Sequence, residues 1–285
     1  MDFDRNRPVL TVDQISAIRA VLVEAKTQYA ALDIAKTIEF FRRRYVDQAK
    51  KYMTLSAGTV VADVGTGYGW LALAFALYTP AKIIAMDLGD IRSMAAAKKI
   101  AAIAGVADRI DFRVGGLGDA PLQTSEADLV CCIEVLEHVS RNKAAVRDLG
   151  RITKSHILVT TPNLLFPAIA HDTRLPFAHW LPRPLRRIYA RALGRLEKER
   201  GNKFWAPFEL DGLLSDFKVV SKFMHYRSLD DMLETFPTYL PYGKGSQVKK
   251  IRGLRLAYFQ AVALLGSASR WVLPNLAAVY QRRPN

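Results

Sequence analysis

Three glycines spaced two apart, Gly65, Gly67 and Gly69, follow a short apolar segment of the chain. Glycine accepts backbone dihedrals that side chains forbid and lets a ligand approach closely, so the spacing predicts a ligand-binding turn between a strand and a helix. A tight structural loop without a ligand is the alternative. The dinucleotide pattern needs a small residue where this chain has Trp70. Asp63 would repel a pyrophosphate and favours a ligand with a cationic group.

A second carboxylate follows at the spacing that a ribose-binding acid requires. Asp87 ends an apolar segment that begins at Ala81, about twenty residues after Gly67. A carboxylate at the end of the second strand of a parallel sheet can accept hydrogen bonds from both hydroxyls of a ribose. The sequence therefore predicts a nucleoside-containing ligand.

Further along, Glu134, Glu137 and His138 cluster at the end of another apolar segment, 127–133. Ligands of open parallel sheets bind at the carboxyl ends of the strands, so these side chains are expected beside the glycine turn. An unperturbed imidazole titrates near neutral pH, which suits a group that accepts a proton from a substrate. His171, in a later insertion, is a further candidate for this task.

The order D-x-G-x-G-x-G followed by Asp87 resembles the class I S-adenosylmethionine-dependent methyltransferases. The string Glu134–His138 resembles the ubiquinone-biosynthesis O-methyltransferases and related small-molecule methyltransferases, and the resemblance covers about residues 58–163. It implies S-adenosylmethionine as cofactor. The residues that it implies for binding are Asp63, Gly65, Thr66, Gly67, Gly69, Asp87, Leu88, Gly116, Leu117 and Glu134.

One position departs from the family's pattern. Family members usually carry an acid where this chain has Gly116, before the residue, here Leu117, whose backbone N–H meets the adenine. Asp119 lies close enough in sequence to replace that acid.

For the chemical step, we expect Glu137 and His138, with His171 from the insertion, to orient or deprotonate an acceptor hydroxyl. In some relatives, a Glu-x-x-Glu-His string with one further residue binds a divalent metal, which would lower the pKa of the hydroxyl. Direct base catalysis, a metal site and a packing role are three alternatives, and the metal ligands are unknown.

The elements that must position these residues alternate between strands and helices. We expect an α/β fold: a Rossmann-like, seven-stranded, mostly parallel sheet with helices on both faces and helical insertions that cap the substrate. The predicted strands are 59–64, 81–87, 109–115, 127–133, 155–163, 217–224 and 275–282. A capping box at Thr11–Gln14 and a helix over about 31–53 precede them.

Within a single domain we distinguish four segments. They are an N-terminal helical lid (1–54), a cofactor-binding core (55–163), a basic helical insertion (164–216) and the final strands with a second insertion (217–285). The alternative role of the N-terminal helices is to cover one edge of the sheet. The Thr-Pro-Asn turn that ends at Asn163 is expected to face the substrate, or else to be an ordinary turn.

The two insertions combine basic and apolar residues. In the first, Leu185, Ile188, Tyr189, Ala192, Leu193 and Leu196 recur at helical spacing, while Arg187, Arg191, Arg195 and Lys198 line another face. This pattern is typical of a helix on an anionic membrane surface, and a solvated basic face packed on the domain is the alternative. The second, from the basic stretch 244–255 into 256–265, is too short to span a bilayer.

Composition agrees with a basic enzyme that meets anionic partners. The chain has 285 residues, a formal net charge of +14 and two adjacent cysteines, Cys131 and Cys132, which we interpret as reduced core residues in a cytoplasmic protein. Because no RNA-binding signature is present, a lipophilic small-molecule acceptor at the inner membrane face is favoured over nucleic acid. RNA or sugar methylation, and a catalytically idle scaffold of a membrane-associated complex, are the alternatives; the oligomeric state is unknown.

Overall fold

The computed structural model describes residues 10–89, 91–139, 143–168, 173–199, 201–235 and 251–284. Within these ranges the chain forms one seven-stranded sheet, in the spatial order β3-β2-β1-β4-β5-β7-β6. The strands are β1 (Val60–Val64), β2 (Lys82–Asp87), β3 (Ile110–Val114), β4 (Ala127–Ile133), β5 (Thr153–Pro162), β6 (Phe217–Val219) and β7 (Asn275–Arg282). All neighbours from β3 to β5 pair in parallel, and β7 pairs antiparallel with both β5 and β6. The predicted α/β fold class is confirmed.

Helices cover both faces of this sheet. They are α1 (Val12–Glu24), α2 (Ile34–Phe41), α3 (Trp70–Tyr78), α4 (Ile91–Ile103), α5 (Lys143–Ile152), α6 (Arg183–Ala192), α7 (Pro207–Leu213), α8 (Leu229–Thr235) and α9 (Gly253–Ala263). The predicted capping box is present at α1, where Gln14 N donates to Thr11 Oγ1 (3.2 Å) and Thr11 N donates to Gln14 Oε1 (2.9 Å).

The central strands are buried on both sides, as the β-branched and small residues of β1 require. Side chains alternate between the two faces, so Cys131 joins the core layer under α3 and Cys132 joins the layer under α5. Both thiols are free and fully buried. Burial raises the pKa of each thiol well above its usual value.

Two predicted elements differ from the structure. The sixth strand ends at Val219 and not at Met224, because the N–H of Val279 on β7 donates to the Ser221 hydroxyl in place of a backbone carbonyl (3.0 Å). A Phe223–Tyr226 bridge then turns the chain back.

The predicted long N-terminal helix is interrupted after α2. A π-helical turn, Arg42–Val46, separates α2 from a further helical turn, Asp47–Ala49. The predicted stretch 244–255 falls mostly outside the described residues, whereas the helix predicted after it is present as α9. The division into four segments stays a prediction.

Candidate active site

The glycine turn joins β1 to α3, and all three glycines have left-handed backbones, with φ of 72° at Gly65, 53° at Gly67 and 78° at Gly69. A Cβ at Gly65 would lie 2.4 Å from Val135 Cγ2, whereas one at Gly67 would meet nothing within 4 Å. Packing therefore requires glycine at position 65. At position 67 the backbone conformation requires it, and the space beside it is open to a ligand.

Asp63 stabilises this turn through hydrogen bonds. It is 3% exposed, and its Oδ2 accepts hydrogen bonds from Thr66 Oγ1 (2.7 Å) and from the N–H of Ala72 (3.1 Å) in the first turn of α3. Since the residue at the N-cap position is a glycine, the Asp63 carboxylate caps the helix instead. Burial raises the pKa of Asp63 to about 6.

Asp87 lies at the other side of the turn. Its Oδ2 accepts from the N–H of Gly67 (2.7 Å) and its Oδ1 accepts from the N–H of Leu88 (2.8 Å). The carboxylate that the sequence assigns to ribose is thus in direct contact with the central glycine.

The loop expected to meet adenine lies next to Leu88, which is 77% exposed. A Cβ at Gly116 would lie 2.4 Å from Leu88 Cδ2, so only glycine lets this side chain rest on the loop. The loop is held by Asp148, which accepts from the N–H groups of Gly118 (3.0 Å) and Ala120 (2.8 Å). Asp119 is exposed and Leu117 is half-buried.

Glu134 stands at the end of β4 with a left-handed backbone (φ 55°), a strained conformation for a non-glycine residue that is common at functional sites. Its Oε1 accepts from the Thr160 hydroxyl (2.9 Å). Glu134 is one of the residues that line the cavity described below.

Glu137 and His138 follow in a short helical turn, Leu136–His138. Glu137 is 1% exposed, and its Oε2 accepts from the Thr161 hydroxyl (3.0 Å), while Oε1 has no hydrogen-bond partner. Burial, followed by the charge of Glu134, raises the pKa of Glu137 to about 8. The His138 side chain is half exposed, with Nε2 4.0 Å from Glu137 Oε1.

Two other predicted positions have different outcomes. His171 lies outside the described residues. Asn163 is fully buried, and its Nδ2 donates to the carbonyls of Arg270 (3.0 Å) and Leu273 (2.8 Å). Its side chain therefore holds the C-terminal segment in place.

A cavity of about 590 Å³ connects these parts. One wall is the glycine turn with Asp63, and another carries Glu134. Aromatic rings from the N-terminal helices, the glycine turn and the start of α3 also line the cavity; they are those of Tyr29, Phe40, Phe41, Tyr45, Tyr68 and Trp70. Among the described residues, the predicted site residues that do not line it are Gly69, Asp87, Leu88, Gly116, Leu117, Glu137 and His138. Asp87 is next to the lining through its contact with Gly67.

Arg44 is the lining residue that sequence reasoning missed, and it is the only basic side chain among the described residues of this lining. It lies in the π-helical turn, a feature often found at functional sites. Its charge interacts electrostatically with Glu134. The sequence signal is three successive arginines, Arg42 to Arg44, but nothing in the sequence indicates which one faces inward.

His225 fixes the backbone that carries Arg44. Its Nε2 lies 3.0 Å from the Arg44 carbonyl oxygen, and its ring stacks on Tyr45 at a centroid distance of 5.4 Å. Burial lowers the pKa of His225 to about 3, so the ring is neutral and Nε2 is the protonated nitrogen that donates to this carbonyl.

The residues present fit a cofactor with a ribose, a carboxylate and a positive centre. Asp87 can accept from ribose hydroxyls, the Arg44 guanidinium can bind a carboxylate, and the open space beside Gly67 admits the ligand. Across the described ranges, no group of three or more His, Cys, Asp and Glu side chains is arranged to hold a metal ion.

Comparison with known proteins agrees with this arrangement. Residues 62–158 match the family model of a methyltransferase domain. Residues 62–158 are thus a methyltransferase domain. Over 101 residues, this chain is 36% identical to a ubiquinone biosynthesis O-methyltransferase of Xanthomonas oryzae pv. oryzae; the match covers 34% of this chain and 40% of that protein.

The fold of this chain is shared with a solved structure of low sequence identity. Geranyl diphosphate C-methyltransferase from Streptomyces coelicolor A3(2), solved with Mg2+, geranyl-S-thiolodiphosphate and S-adenosyl-L-homocysteine, is 10% identical, with a TM-score of 0.52. The likeness covers 84% of this chain and 74% of that one. At this identity it shows the fold alone.

Proposed function

We propose that this protein transfers a methyl group from S-adenosylmethionine to a hydroxyl oxygen of a lipophilic or lipid-linked small molecule, in the cytoplasm against the inner membrane face. The observation that carries the proposal is the single cavity that joins the glycine turn, Glu134 and the aromatic rings. An apolar pocket with a few polar groups is the usual form of a small-molecule site.

Four residues would hold the cofactor. The turn at Gly65 to Gly67 admits its methionine end, Asp87 accepts from the ribose hydroxyls, and Arg44 pairs with the carboxylate. Bound in this way, the cofactor would supply a methyl group on a positively charged sulfur. A nucleophilic oxygen of the acceptor would bond to the methyl carbon as the bond from that carbon to sulfur breaks. The protein's task is then to align the acceptor oxygen and to remove its proton.

Glu134 is the carboxylate placed to receive that proton, because it lines the cavity whereas Glu137 is buried behind it. Glu137, which its pKa of about 8 keeps protonated at neutral pH, would release its own proton toward the half-exposed His138 as it accepts the proton from Glu134. The aromatic rings of the cavity exclude water and receive the apolar body of the acceptor. His138 and His171 stay predicted contributors to this step.

The test separates cofactor binding from methyl transfer. Isothermal titration with S-adenosylmethionine is followed by incubation of the protein with labelled cofactor and a membrane lipid extract. We expect binding, labelled product in the organic phase, and a loss of about 100-fold or more in turnover for Glu134→Gln with cofactor affinity retained. The His138→Ala variant is measured alongside, and a smaller loss is expected because His138 acts through Glu137.

Three outcomes would contradict the proposal. Label recovered in RNA or in water-soluble sugars would identify another acceptor class. Cofactor binding without labelled product across extracts would favour the catalytically idle scaffold. Undiminished turnover in Glu134→Gln would remove Glu134 from the chemical step.

A further inference from the structure

The helix α6 has its apolar side turned toward solvent. Leu185 is 52% and Ile188 64% exposed, while Arg186 and Ala190 are buried. At 100° per residue, Leu185, Ile188 and the exposed Ala192 lie within about 60° of one another around the helix axis. A solvated helix packed on its domain would show the reverse arrangement.

A buried ion pair sets this rotation of the helix. Arg186 Nη2 lies 2.6 Å from Glu199 Oε1, and both side chains are less than a tenth exposed. Because separating a buried charge from its partner is strongly unfavourable, this pair opposes any rotation of the helix that would turn its apolar side inward. The exposure of Leu185 and Ile188 is therefore built into the fold.

Two exposed aromatic residues precede α6 in the chain. Phe177 and Trp180 are each about half exposed, with ring centroids 5.0 Å apart. The Trp180 Nε1 donates to the carbonyl of Leu164 (2.6 Å), which fixes the indole at the end of β5. An aromatic ring with one polar end satisfied and one apolar end exposed suits a membrane interface.

A second group of exposed apolar residues lies in the C-terminal segment that Asn163 contacts. Asn163, next to Leu164, holds the carbonyls of Arg270 and Leu273, between which Trp271 and Val272 are 40% and 41% exposed. Leu264 and Leu265, just before this segment, are 88% and 51% exposed. Both groups therefore extend from the carboxyl end of β5, the edge of the sheet where the cavity lies.

Positive charge accompanies the apolar side. Arg183, Arg187, Arg191 and Arg195 are exposed along and just after α6, and the whole chain carries a formal net charge of +14. Arginines that flank an exposed apolar stripe complement anionic headgroups while the stripe enters the acyl boundary.

The geometry points to one occupant: the face formed by Phe177, Trp180, Leu185, Ile188, Trp271 and Val272 docks on an anionic phospholipid bilayer. These residues are the docking face, and the bilayer is its partner. One consequence rests on the proposed function, namely that the cavity takes its acceptor from the membrane. Among the described residues, no helix is long and apolar enough to cross a bilayer.

The experiment measures co-sedimentation of the full chain with vesicles of phosphatidylcholine, with and without phosphatidylglycerol, in the absence of cofactor and acceptor. We expect binding to the anionic vesicles only. The double variant Leu185→Glu/Ile188→Glu should weaken it by about tenfold or more, since two apolar side chains no longer leave water. Arg187→Gln/Arg191→Gln should weaken it less and should lower its dependence on salt.

A matched control is Val23→Glu on α1, which changes an apolar residue of similar exposure, 60%, outside the docking face. It should bind vesicles as the parent protein does. Melting temperature and cofactor titration, unchanged in every variant, show that the fold and the cofactor site are intact, so failed docking and failed methyl transfer are distinguishable.

Equal binding of the double variant and the parent would overturn the assignment of this face, and so would absence of binding to anionic vesicles. Should the double variant dissociate a dimer seen by analytical ultracentrifugation, with vesicle binding absent, the face is an interface between copies of the chain and the proposal is wrong.

Discussion

Glu137 keeps its proton to an unusually high pH for a carboxyl group. Burial raises its pKa from 4.5 to about 8, so the folded protein binds this proton more tightly than the unfolded chain does. The stability that results is complete below about pH 4.5 and is lost as the pH rises through 8. We expect the free energy of unfolding to fall by about 1 kcal/mol between about pH 7 and pH 8.

Chemical denaturation at both pH values measures this fall, and Glu137→Gln, which resembles the protonated acid, should abolish it. This window avoids the other shifted groups near neutrality: the pKa of Asp63 is raised only to about 6, and His225, with its pKa lowered to about 3, differs from an unfolded histidine only below neutral pH. A variant that keeps the full pH dependence would show that the proton belongs elsewhere.

Arg44 provides a second prediction, on cofactor affinity. If its guanidinium pairs with the cofactor carboxylate, Arg44→Met should raise the Kd for S-adenosylmethionine by about tenfold or more, because a charge-assisted hydrogen bond contributes about 1.5–3 kcal/mol. The matched control is Arg43→Met, in the same π-helical turn but outside the cavity lining. Equal losses in both variants, measured by titration calorimetry, would argue for a general effect of charge.

Individual residues were predictable where short motifs specify them. Asp63, Asp87 and Glu134 all lie at the glycine turn or along the cavity, as their positions at the carboxyl ends of β1, β2 and β4 indicate. Arg44 was not predictable, because the extra residue in a π-helical turn changes which of three adjacent arginines faces inward. No side-chain pattern encodes that irregularity.

The glycine turn allows packing and ligand binding to be separated by mutation. Gly65→Ala should destabilise the protein by more than about 2 kcal/mol, since strain at φ 72° adds to a Cβ that would lie 2.4 Å from Val135 Cγ2. Gly67→Ala has only the strain, about 1–2 kcal/mol, but its Cβ enters the open space. Gly67→Ala should therefore reduce the free energy of cofactor binding by more than it reduces the free energy of unfolding.

Thermal unfolding and cofactor titration of both variants make the comparison. The double variant Gly65→Ala/Val135→Ala should recover part of the lost stability, because it removes the contacting methyl groups. If it recovers none, the clash is not the cause and backbone strain dominates at position 65.

Among the elements, those with strong boundaries on both sides matched their predictions. The strands β4 and β7 cover 127–133 and 275–282, as expected from buried apolar segments. The sixth strand was overestimated, because Ser221 replaces a backbone carbonyl in the ladder with its hydroxyl. For α6, the sequence predicted a helix on a membrane surface and left packing on the domain as the alternative. It could not decide between the two, since Glu199, the partner of Arg186, follows the helix by several residues.

Cofactor binding should stabilise the molecule unevenly. At about 100 times its Kd, the cofactor should add about 2.7 kcal/mol to the free energy of unfolding. Because Phe40, Arg44 and Tyr45 line the cavity, hydrogen exchange should slow most in α2 and the π-helical turn. The amides of α6, whose outward side carries the docking face, serve as the internal reference and should change little.

Uniform protection across α2 and α6, beyond the gain in global stability, would contradict this arrangement.

At the level of the whole chain, the sequence predicted the fold class and an anionic partner from the net charge of +14. It could not show which face would meet that partner, because this depends on which apolar residues the fold leaves exposed.

The adjacent cysteines of β4 have a practical consequence. Cys131 belongs to the core layer under α3 and Cys132 to the layer under α5, and both thiols are inaccessible in the folded protein. The chain thus contains one native chemical label for each side of the sheet. In single Cys→Ser variants, the rate of alkylation would time the opening of the cofactor side and of the opposite side separately, without any introduced probe.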